Sequence, residues 1–212
     1  MKSIDEWISI LYAIGVREQT ARKWAPEFSA QVHEKTFNLD WDEIDDFVAQ
    51  VVYESQKLEY VKENLNYRAE RLHQVFYNNF RTVEAAIPFA GQPAKTAERV
   101  YGRRRDLGND QPGDGLKYIG RGLLMVTGKG NYEHVQTATG EPVVDKPELL
   151  ETPRVALMSA IAWWEKNIPD SAVGHPDLVS RRVNGGVNGL DERIKLSQLV
   201  DQTINQPTKA TA

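Results

Sequence analysis

Cysteine is absent from the 212 residues of this chain. A chain without cysteine has no disulfide framework, no zinc site built from thiolates and no cysteine nucleophile. Its composition fits a protein that is made in a reducing cytoplasm.

Long apolar runs are missing as well. The best candidate extends from Val155 to Trp164 and contains Ser159, so it is about half of the ~20 residues that a membrane-spanning helix needs. Near the N-terminus, Asp5 and Glu6 interrupt any apolar segment of the kind that a signal peptide contains. We therefore expect no membrane insertion and no secretion signal.

Neither sign of charge dominates, and the histidines are scattered. The 26 Lys and Arg residues face 30 Asp and Glu residues, a balance that argues against a general nucleic-acid or membrane binder. The four histidines show no His-Glu-x-x-His motif and no paired spacing, which disfavours a zinc amidase or metallopeptidase. We expect neither a metal ion nor any other cofactor.

Apolar spacing is helical through most of the chain. Asp40 and Glu43 have the spacing of a capping box at the start of a helix. The first predicted helix has its apolar residues between positions 4 and 12 and is stopped by Gly15. The others cover residues 18–35, a segment from Asp40 to at least Val52, residues 69–80, a short segment stopped at Pro88, and residues 153–167, 177–183 and 190–204. On the first of these, the expected buried stripe is Ile4, Trp7, Ile8, Leu11 and Tyr12; on the third, it is Ile44, Phe47, Val48, Val51 and Val52.

The pattern changes between Tyr101 and Tyr132, where eight glycines are interspersed with Asn109, Asp110 and Pro112. This composition predicts loops and turns, with one candidate for a short strand pair from Tyr118 to Thr127. Long loops inside a compact domain are usually functional. We therefore expect the substrate groove here.

Two glutamates are candidates for acid–base chemistry. Cleavage of a glycoside uses two carboxyl groups, one of which must stay protonated near neutral pH in an apolar setting. Glu54 suits that role because it lies on the same helical ridge as Phe47 and Val51, at the flank of the apolar stripe. The spacing alone nevertheless favours a solvated glutamate at the rim of the helix.

Glu63 follows nine residues later. On one continuous helix it would point ~180° away from Glu54. A catalytic pair therefore requires the chain to leave the helix between Leu58 and Asn64, and the asparagine-containing segment from Glu63 to Tyr67 predicts such a break. The alternative is that Glu63 is a surface residue on a long helix.

Several short motifs stand in an order that resembles one known family. They are Tyr53-Glu54-Ser55, Glu63-Asn64-Leu65-Asn66-Tyr67, Tyr101-Gly102-Arg103, Leu107-Gly108-Asn109, Gly113-Asp114-Gly115, Tyr118-Ile119-Gly120-Arg121-Gly122, Thr127-Gly128-Lys129-Gly130-Asn131-Tyr132 and Arg182-Val183-Asn184-Gly185-Gly186-Val187-Asn188-Gly189, followed by Arg193. Over residues 45 to 200 the chain resembles glycoside hydrolase family 19, the chitinase-like lysozyme fold, in its short phage-endolysin form.

The resemblance implies a fold and a domain organisation. We expect a mainly α, compact, lysozyme-like or chitinase-like domain, either undivided or in two lobes with a cleft, and with at most a short β-hairpin. Residues 1 to about 40 would be a helical pair docked on a core of residues 41 to 204, and residues 205–212 a flexible tail.

The resemblance also implies the catalytic groups. Glu54 matches the general acid, and Glu63 matches the general base that activates water for an inverting attack. Thr127 stands where a hydroxyl helps to hold that water. Room for the water requires the two carboxyl groups to be ~6.5–9.5 Å apart.

Further positions match groups that contact or shape the substrate site. Asn131 and Asn184 match substrate-binding asparagines, and Arg193 matches an arginine near the catalytic carboxylates. Tyr118 and Arg121 belong to the Tyr-x-Gly-Arg-Gly motif and would shape the floor of the cleft.

Two positions depart from the family pattern. Tyr53 stands where a histidine usually precedes the catalytic glutamate, so the way in which Glu54 is held is open. Met125 stands where a glutamine commonly contacts the sugar. Methionine lacks the hydrogen-bonding amide of glutamine, so the preference for particular sugars at this subsite is open.

The function implied is that of an endolysin that cuts β-1,4 links of peptidoglycan and lyses the host at the end of a phage cycle. The partners implied are peptidoglycan glycan strands and a separate holin-type membrane permeabiliser, through which a monomeric enzyme made in the host cytoplasm reaches the wall. Nucleic acid is not an expected partner. The alternatives are a chitinase of the same fold and an inactive wall-binding protein.

Overall fold

The computed structural model describes residues 1–37, 40–186 and 188–205, without the side chains of residues 40–42. This part of the chain is mainly helical, as predicted, and contains no β-strand. The predicted tail beyond Asn205 and the side chain of Asp40, with its capping box, lie outside the described residues. No helix found here has both the length and the apolar character needed to cross a membrane.

Most helices lie where the apolar spacing predicts them, but three were not anticipated. The helices are α1 (Ile4–Ala13), α2 (Glu18–Gln31), α3 (Asp40–Glu54), α4 (Ala69–Val75), α5 (Val83–Ala86), α6 (Pro93–Tyr101), α7 (Asp114–Lys117), α8 (Lys129–Thr139), α9 (Pro153–Asn167), α10 (Pro176–Asn184) and α11 (Leu190–Ile204). The unanticipated helices are α6, α7 and α8. Helix α6 buries Thr96, Ala97 and Val100, and such small or polar residues produce no apolar stripe in a sequence.

The chain folds into two compact units. The first contains residues 1–61, 122–124 and the chain from Thr152 onward, and the second contains residues 62–121 and 125–151. The predicted docked pair, α1 and α2, therefore belongs to the same unit as α3 and the C-terminal helices.

The first unit is built around large aromatic side chains. Trp7 of α1 contacts Phe28 of α2, with ring centroids 5.0 Å apart, and Phe47 of α3 meets Trp164 of α9 edge-on at 5.4 Å. All four are fully buried. The apolar stripe predicted for α3 is confirmed, because each of its five residues is inaccessible to solvent.

The stripe predicted for α1 is partly wrong. Ile4 and Tyr12 are exposed, and the buried face consists of Trp7, Ile10 and Leu11. The physical reason is that α1 lies at the edge of the unit, where it packs on α2 and more lightly on α11. A helix that contacts mainly one neighbour buries fewer residues than its apolar periodicity predicts.

The second unit has smaller apolar clusters and a backbone that packs closely. One cluster contains Leu72, Phe80 and Val100. The glycines that predicted loops also serve this packing: a Cβ on Gly108 would lie 2.7 Å from the backbone nitrogen of Gly130. The stretch from Tyr101 to Tyr132 was predicted to consist of loops and turns, but its last residues form the start of α8.

The candidate strand pair from Tyr118 to Thr127 is a tight turn. Arg121 and Val126 exchange backbone hydrogen bonds of 3.1 and 2.7 Å, and Arg121 also bridges to Lys62. These isolated bridges bring residue 62, and hence Glu63, against the motif that begins at Tyr118.

Candidate active site

Glu54 is the last residue of α3, and its side chain is one-quarter exposed. Its carboxylate forms an ion pair with the guanidinium of Arg193 on α11. The Nη1 of Arg193 donates to Gln50 Oε1 at 2.6 Å, and Gln50 Nε2 donates to Ser180 Oγ of α10 at 3.1 Å. Two helices of the first unit, α10 and α11, thus contact the last turns of α3, and Arg193 of α11 holds the carboxylate.

Tyr53 shows how a chain without the usual histidine holds this arginine. The guanidinium carbon of Arg193 lies 4.2 Å from the centroid of the Tyr53 ring. The Tyr53 hydroxyl is packed so tightly against Gly189 that a Cβ there would lie 1.8 Å away from it. Tyr53 therefore covers one face of the guanidinium, in a cation–π contact that depends on a glycine at position 189.

Asn184 joins the same group from the end of α10. Its Nδ2 donates to the carbonyl of Asn188 at 3.0 Å, and Arg193 Nε donates to the same carbonyl at 3.3 Å. Of the predicted residues, Glu54, Asn184 and Arg193 are thus brought together in the first unit.

A cavity of about 500 Å³ adjoins Glu54. It lies wholly within the first unit, on the side of α3 that faces α11. Its lining residues are Val52, Tyr53, Glu54, Gln56, Lys57 and Leu196. The cavity offers a carboxylate, an ammonium and an apolar surface to a ligand.

Glu63 belongs to the second unit and is largely buried. Its carboxylate accepts hydrogen bonds from the Gly120 N–H at 2.5 Å and from the Tyr101 hydroxyl at 2.8 Å. Burial raises the pKa of the Glu63 carboxyl, although these two donors and the charge of Arg121 act in the opposite direction. For Glu54 the sequence left open a partly desolvated carboxyl or a solvated one at the helix rim. In the folded chain its side chain is one-quarter exposed and is paired with Arg193.

Tyr101 is a site residue that the sequence patterns did not single out. Burial, followed by the neighbouring charge of Glu63, holds the pKa of its phenol well above the usual range. The hydroxyl therefore stays protonated and donates to the carboxylate. The one signal in the sequence was its motif, Tyr101-Gly102-Arg103, but a hydrogen bond between residues 38 positions apart has no signature in spacing.

Thr127 lies beside the carboxylate of Glu63. A Cβ on Gly120 would lie 3.2 Å from Thr127 Oγ1 and 3.3 Å from Glu63 Oε1, so both groups border the same small space. The Thr127 hydroxyl donates to the carbonyl of Met125 at 2.9 Å, and Asn131 Nδ2 donates to the Thr127 carbonyl at 2.8 Å. The second unit thus places Thr127 next to Glu63, and the Met125 carbonyl and the Asn131 side chain bond to Thr127.

Tyr118 and Arg121 support this group from inside. Both are buried; Tyr118 donates to the carbonyl of Val144 at 3.3 Å, and Arg121 forms an ion pair of 2.8 Å with Glu151. Arg121 also donates to the Tyr132 hydroxyl at 2.9 Å. These contacts favour a role in shaping the floor over direct contact with a sugar.

A comparison with protein-family models found no match. A Haemophilus influenzae protein described as a glycosyl hydrolase family 19 domain-containing protein is 35% identical over 159 residues, which are 75% of this chain and 78% of that protein. The chain belongs to glycoside hydrolase family 19. It is also 26% identical to acidic endochitinase Q of Nicotiana tabacum over 90 residues. These residues are 42% of this chain and 36% of that enzyme.

Solved structures of chitinases have a similar fold. Chitinase C from Streptomyces griseus matches with a TM-score of 0.53 and 19% identity over 97% of this chain and 93% of that one. A class IV chitinase from Zea mays matches with a TM-score of 0.53 and 14% identity over 95% and 91%. These matches show that this family 19 chain has the chitinase-like fold.

The raised pKa of Glu63 predicts how this family 19 chain responds to pH. A carboxyl whose folded pKa exceeds the unfolded value favours folding at low pH, and that contribution is lost as the pH rises through the folded pKa. At pH 7, Glu63→Gln should therefore leave the melting temperature unchanged or raise it. Any gain should fade towards pH 4, near the ordinary glutamate pKa of about 4.3.

Thermal unfolding at several pH values checks this expectation. Glu70→Gln, an exposed glutamate on α4 of the same unit, is the matched control and should show no such pH-dependent gain. A clear loss of stability of Glu63→Gln at pH 7 would contradict the expectation, because it would make the buried carboxylate a net stabilising group.

Gly189→Ala is expected to damage the group around Glu54. Gly189 has φ +66°, so alanine is strained there by about 1–2 kcal/mol, and its Cβ would displace Tyr53. We expect a loss of hydrolytic rate on the order of 10²-fold, since small misplacements of catalytic groups cost that much.

The control is Gly174→Ala, because Gly174 has φ +74° and open space where a Cβ would stand. It should lose similar stability but keep its activity. Equal activities of the two variants, measured below their melting temperatures, would show that Tyr53 and Arg193 do not govern Glu54.

Proposed function

We propose that this family 19 protein hydrolyses β-1,4 links in the glycan strands of bacterial peptidoglycan with inversion of configuration. Protonated Glu54 would donate its proton to the glycosidic oxygen as the bond to the leaving sugar breaks. Ionised Glu63 would take a proton from the water that attacks the anomeric carbon. The products are two shorter chains, and each carboxyl group returns to its starting state after one proton exchange with solvent.

The surroundings of Glu63 support the role of base. A base is most effective when its pKa lies close to the working pH, and burial moves the pKa of Glu63 in that direction. The Gly120 N–H and the Tyr101 hydroxyl hold the carboxylate in one orientation. Thr127 supplies a hydroxyl next to it that suits a bound water.

Lys57 is the observation that favours peptidoglycan over chitin. It lines the cavity next to Glu54, and no ion pair involves it in the described ranges of the chain. Chitin carries no charge, whereas the peptide stems of peptidoglycan carry carboxylates. An unpaired ammonium at the edge of this cavity would attract such a carboxylate.

The biological role proposed is that of a phage endolysin. It rests on the resemblance of the motifs to the short endolysin form of the family. In this role the enzyme is a monomer made in the host cytoplasm, and it reaches the wall after a holin-type partner has permeabilised the membrane. Of the two alternating linkages, we propose the one on the N-acetylmuramic acid side.

A chitinase is the second candidate. The named relatives and solved structures favour it, since they include an endochitinase from tobacco and chitinases from Streptomyces griseus and Zea mays. It would use the same two glutamates on an uncharged polymer. An inactive wall-binding protein is less favoured, because Glu54, Glu63 and Thr127 are all present.

Product analysis decides among these candidates. Purified peptidoglycan and chitin are each incubated with the wild type, with Glu54→Gln and with Glu165→Gln, an exposed glutamate of α9 that serves as control. We expect new reducing ends from peptidoglycan, in the α configuration when first formed, with the wild type and the control but not with Glu54→Gln.

Release of reducing ends from chitin alone would establish the chitinase. Cleavage of amide bonds, or full activity of Glu54→Gln, would refute the mechanism. Binding to wall sacculi without any released sugar would indicate the inactive binding protein.

Lys57→Gln tests the role of charge separately. We expect the rate on peptidoglycan to fall by about two- to five-fold at low salt, as for the loss of an exposed ion pair, with no change on chitin oligosaccharides. The difference should shrink as ionic strength rises. Lys195→Gln, an exposed lysine of α11 outside the cavity lining, is the control, and an equal effect of both changes would remove the support from Lys57.

A further inference from the structure

The chain leaves α3 through an unusual turn directly after Glu54. Gln56, Lys57 and Leu58 have φ angles of +49°, +64° and +64°, so three consecutive residues other than glycine adopt the left-handed conformation. The sequence predicted a break between Leu58 and Asn64, but the helix ends earlier, at Glu54. L-residues disfavour this conformation, and it persists only where the surroundings impose it.

Part of what imposes the turn is local. Ser55 is buried; its hydroxyl donates to the carbonyl of Val51 at 2.5 Å and accepts from the N–H of Leu58 at 2.9 Å. The N–H of Lys57 donates to the carbonyl of Val52 at 2.6 Å. These bonds join the turn to the last two turns of α3.

The remaining support comes from α2. The Nε1–H of Trp24 donates to the carbonyl of Leu58 at 3.1 Å, in a buried position. At the next residue, Glu59 accepts from Arg17 Nε at 2.8 Å and from the Thr20 hydroxyl at 2.7 Å. The hydrogen bond from Arg17 lowers the pKa of Glu59 to about 2, so the pair is intact at neutral pH.

The α1–α2 connection also touches the turn. The side chain of Lys57 lies over Gly15, where a Cβ would be 2.7 Å from Nζ. Glycine at this position, with φ +91°, lets the two backbones approach. The left-handed turn is therefore bounded by α3 on one side and by the N-terminal helices on the other.

We propose that the N-terminal pair α1–α2 is a positioning element for Glu54, and that Trp24 is its main positioning residue. By holding the carbonyl of Leu58, Trp24 keeps the left-handed turn closed and prevents the last turn of α3 from fraying. The carboxyl group of Glu54 then keeps the direction in which Arg193 also holds it. This inference rests on the proposed function of Glu54. It gives α2, through Trp24, a role in positioning that carboxyl group, whereas α1 packs behind α2.

A pair of tryptophans provides a matched test. Trp7 and Trp24 are both fully buried in the same core, but the Nε1 of Trp7 has no hydrogen-bond partner in the described structure. Trp7→Phe and Trp24→Phe thus remove similar apolar bulk, and only the second removes a bond to the turn. We expect kcat of Trp24→Phe to fall about ten-fold with KM unchanged, and kcat of Trp7→Phe to stay near that of the wild type.

Amide hydrogen exchange provides a readout that does not depend on catalysis. In Trp24→Phe the amides of residues 55–60 should exchange faster than in the wild type, whereas in Trp7→Phe they should not. If the wild type cleaves no polysaccharide, the proposed function fails, and the exchange data still test whether Trp24 holds the turn. Equal kcat values in the two variants, or equal exchange of these amides, would overturn the proposal.

Thr20→Val is the second variant, chosen because it leaves the core intact. Thr20 donates to Glu59 at the outer end of the turn. Loss of this hydrogen bond should reduce kcat by about two-fold with KM unchanged, and it should speed amide exchange near Glu59. Unchanged exchange and kcat in both Thr20→Val and Trp24→Phe would assign α2 a purely structural role.

Discussion

The charge of Arg193 is buried within the first unit, and the arrangement around Glu54 follows from that burial. A buried guanidinium is tolerated only when its donors and its faces are occupied by suitable partners. Gln50 and Glu54 from α3, the carbonyl of Asn188 and the ring of Tyr53 fill these places. Removing Gln50 or Glu54 would leave N–H groups of the buried guanidinium without partners, so the group is constrained as a whole.

The second carboxylate is held by a different principle. Glu63 is stabilised by two neutral donors, the Gly120 N–H and the Tyr101 hydroxyl, and its nearest cationic influence is the more distant Arg121. The two glutamates therefore stand in unlike surroundings: Glu54 faces a buried cation, whereas Glu63 is held by neutral donors. The turn that follows Glu54 adds a constraint on the backbone, because its three left-handed residues are held both by the end of α3 and by Trp24 of α2.

The sequence-based predictions are accurate where apolar residues recur at regular spacing along the chain. Helices α3, α9 and α11 were located correctly because their apolar residues recur at helical spacing. Helix α6 was missed because it buries small and polar groups, and α8 because it starts among glycines. Ile4 and Tyr12 of α1 were predicted to be buried but are exposed, since periodicity does not indicate how much of a helix its neighbours cover.

The sequence by itself determined the mainly helical class, the absence of thiol chemistry and, through the order of its motifs, membership in family 19. It also singled out both glutamates. Tertiary structure alone decided that Tyr101 contacts Glu63, that Tyr53 covers Arg193 and that Trp24 closes the turn beyond Glu54. The physical reason is that propensity and spacing describe neighbours along the chain. A hydrogen bond between distant residues depends on the path of the whole backbone, and so does a left-handed turn held from outside.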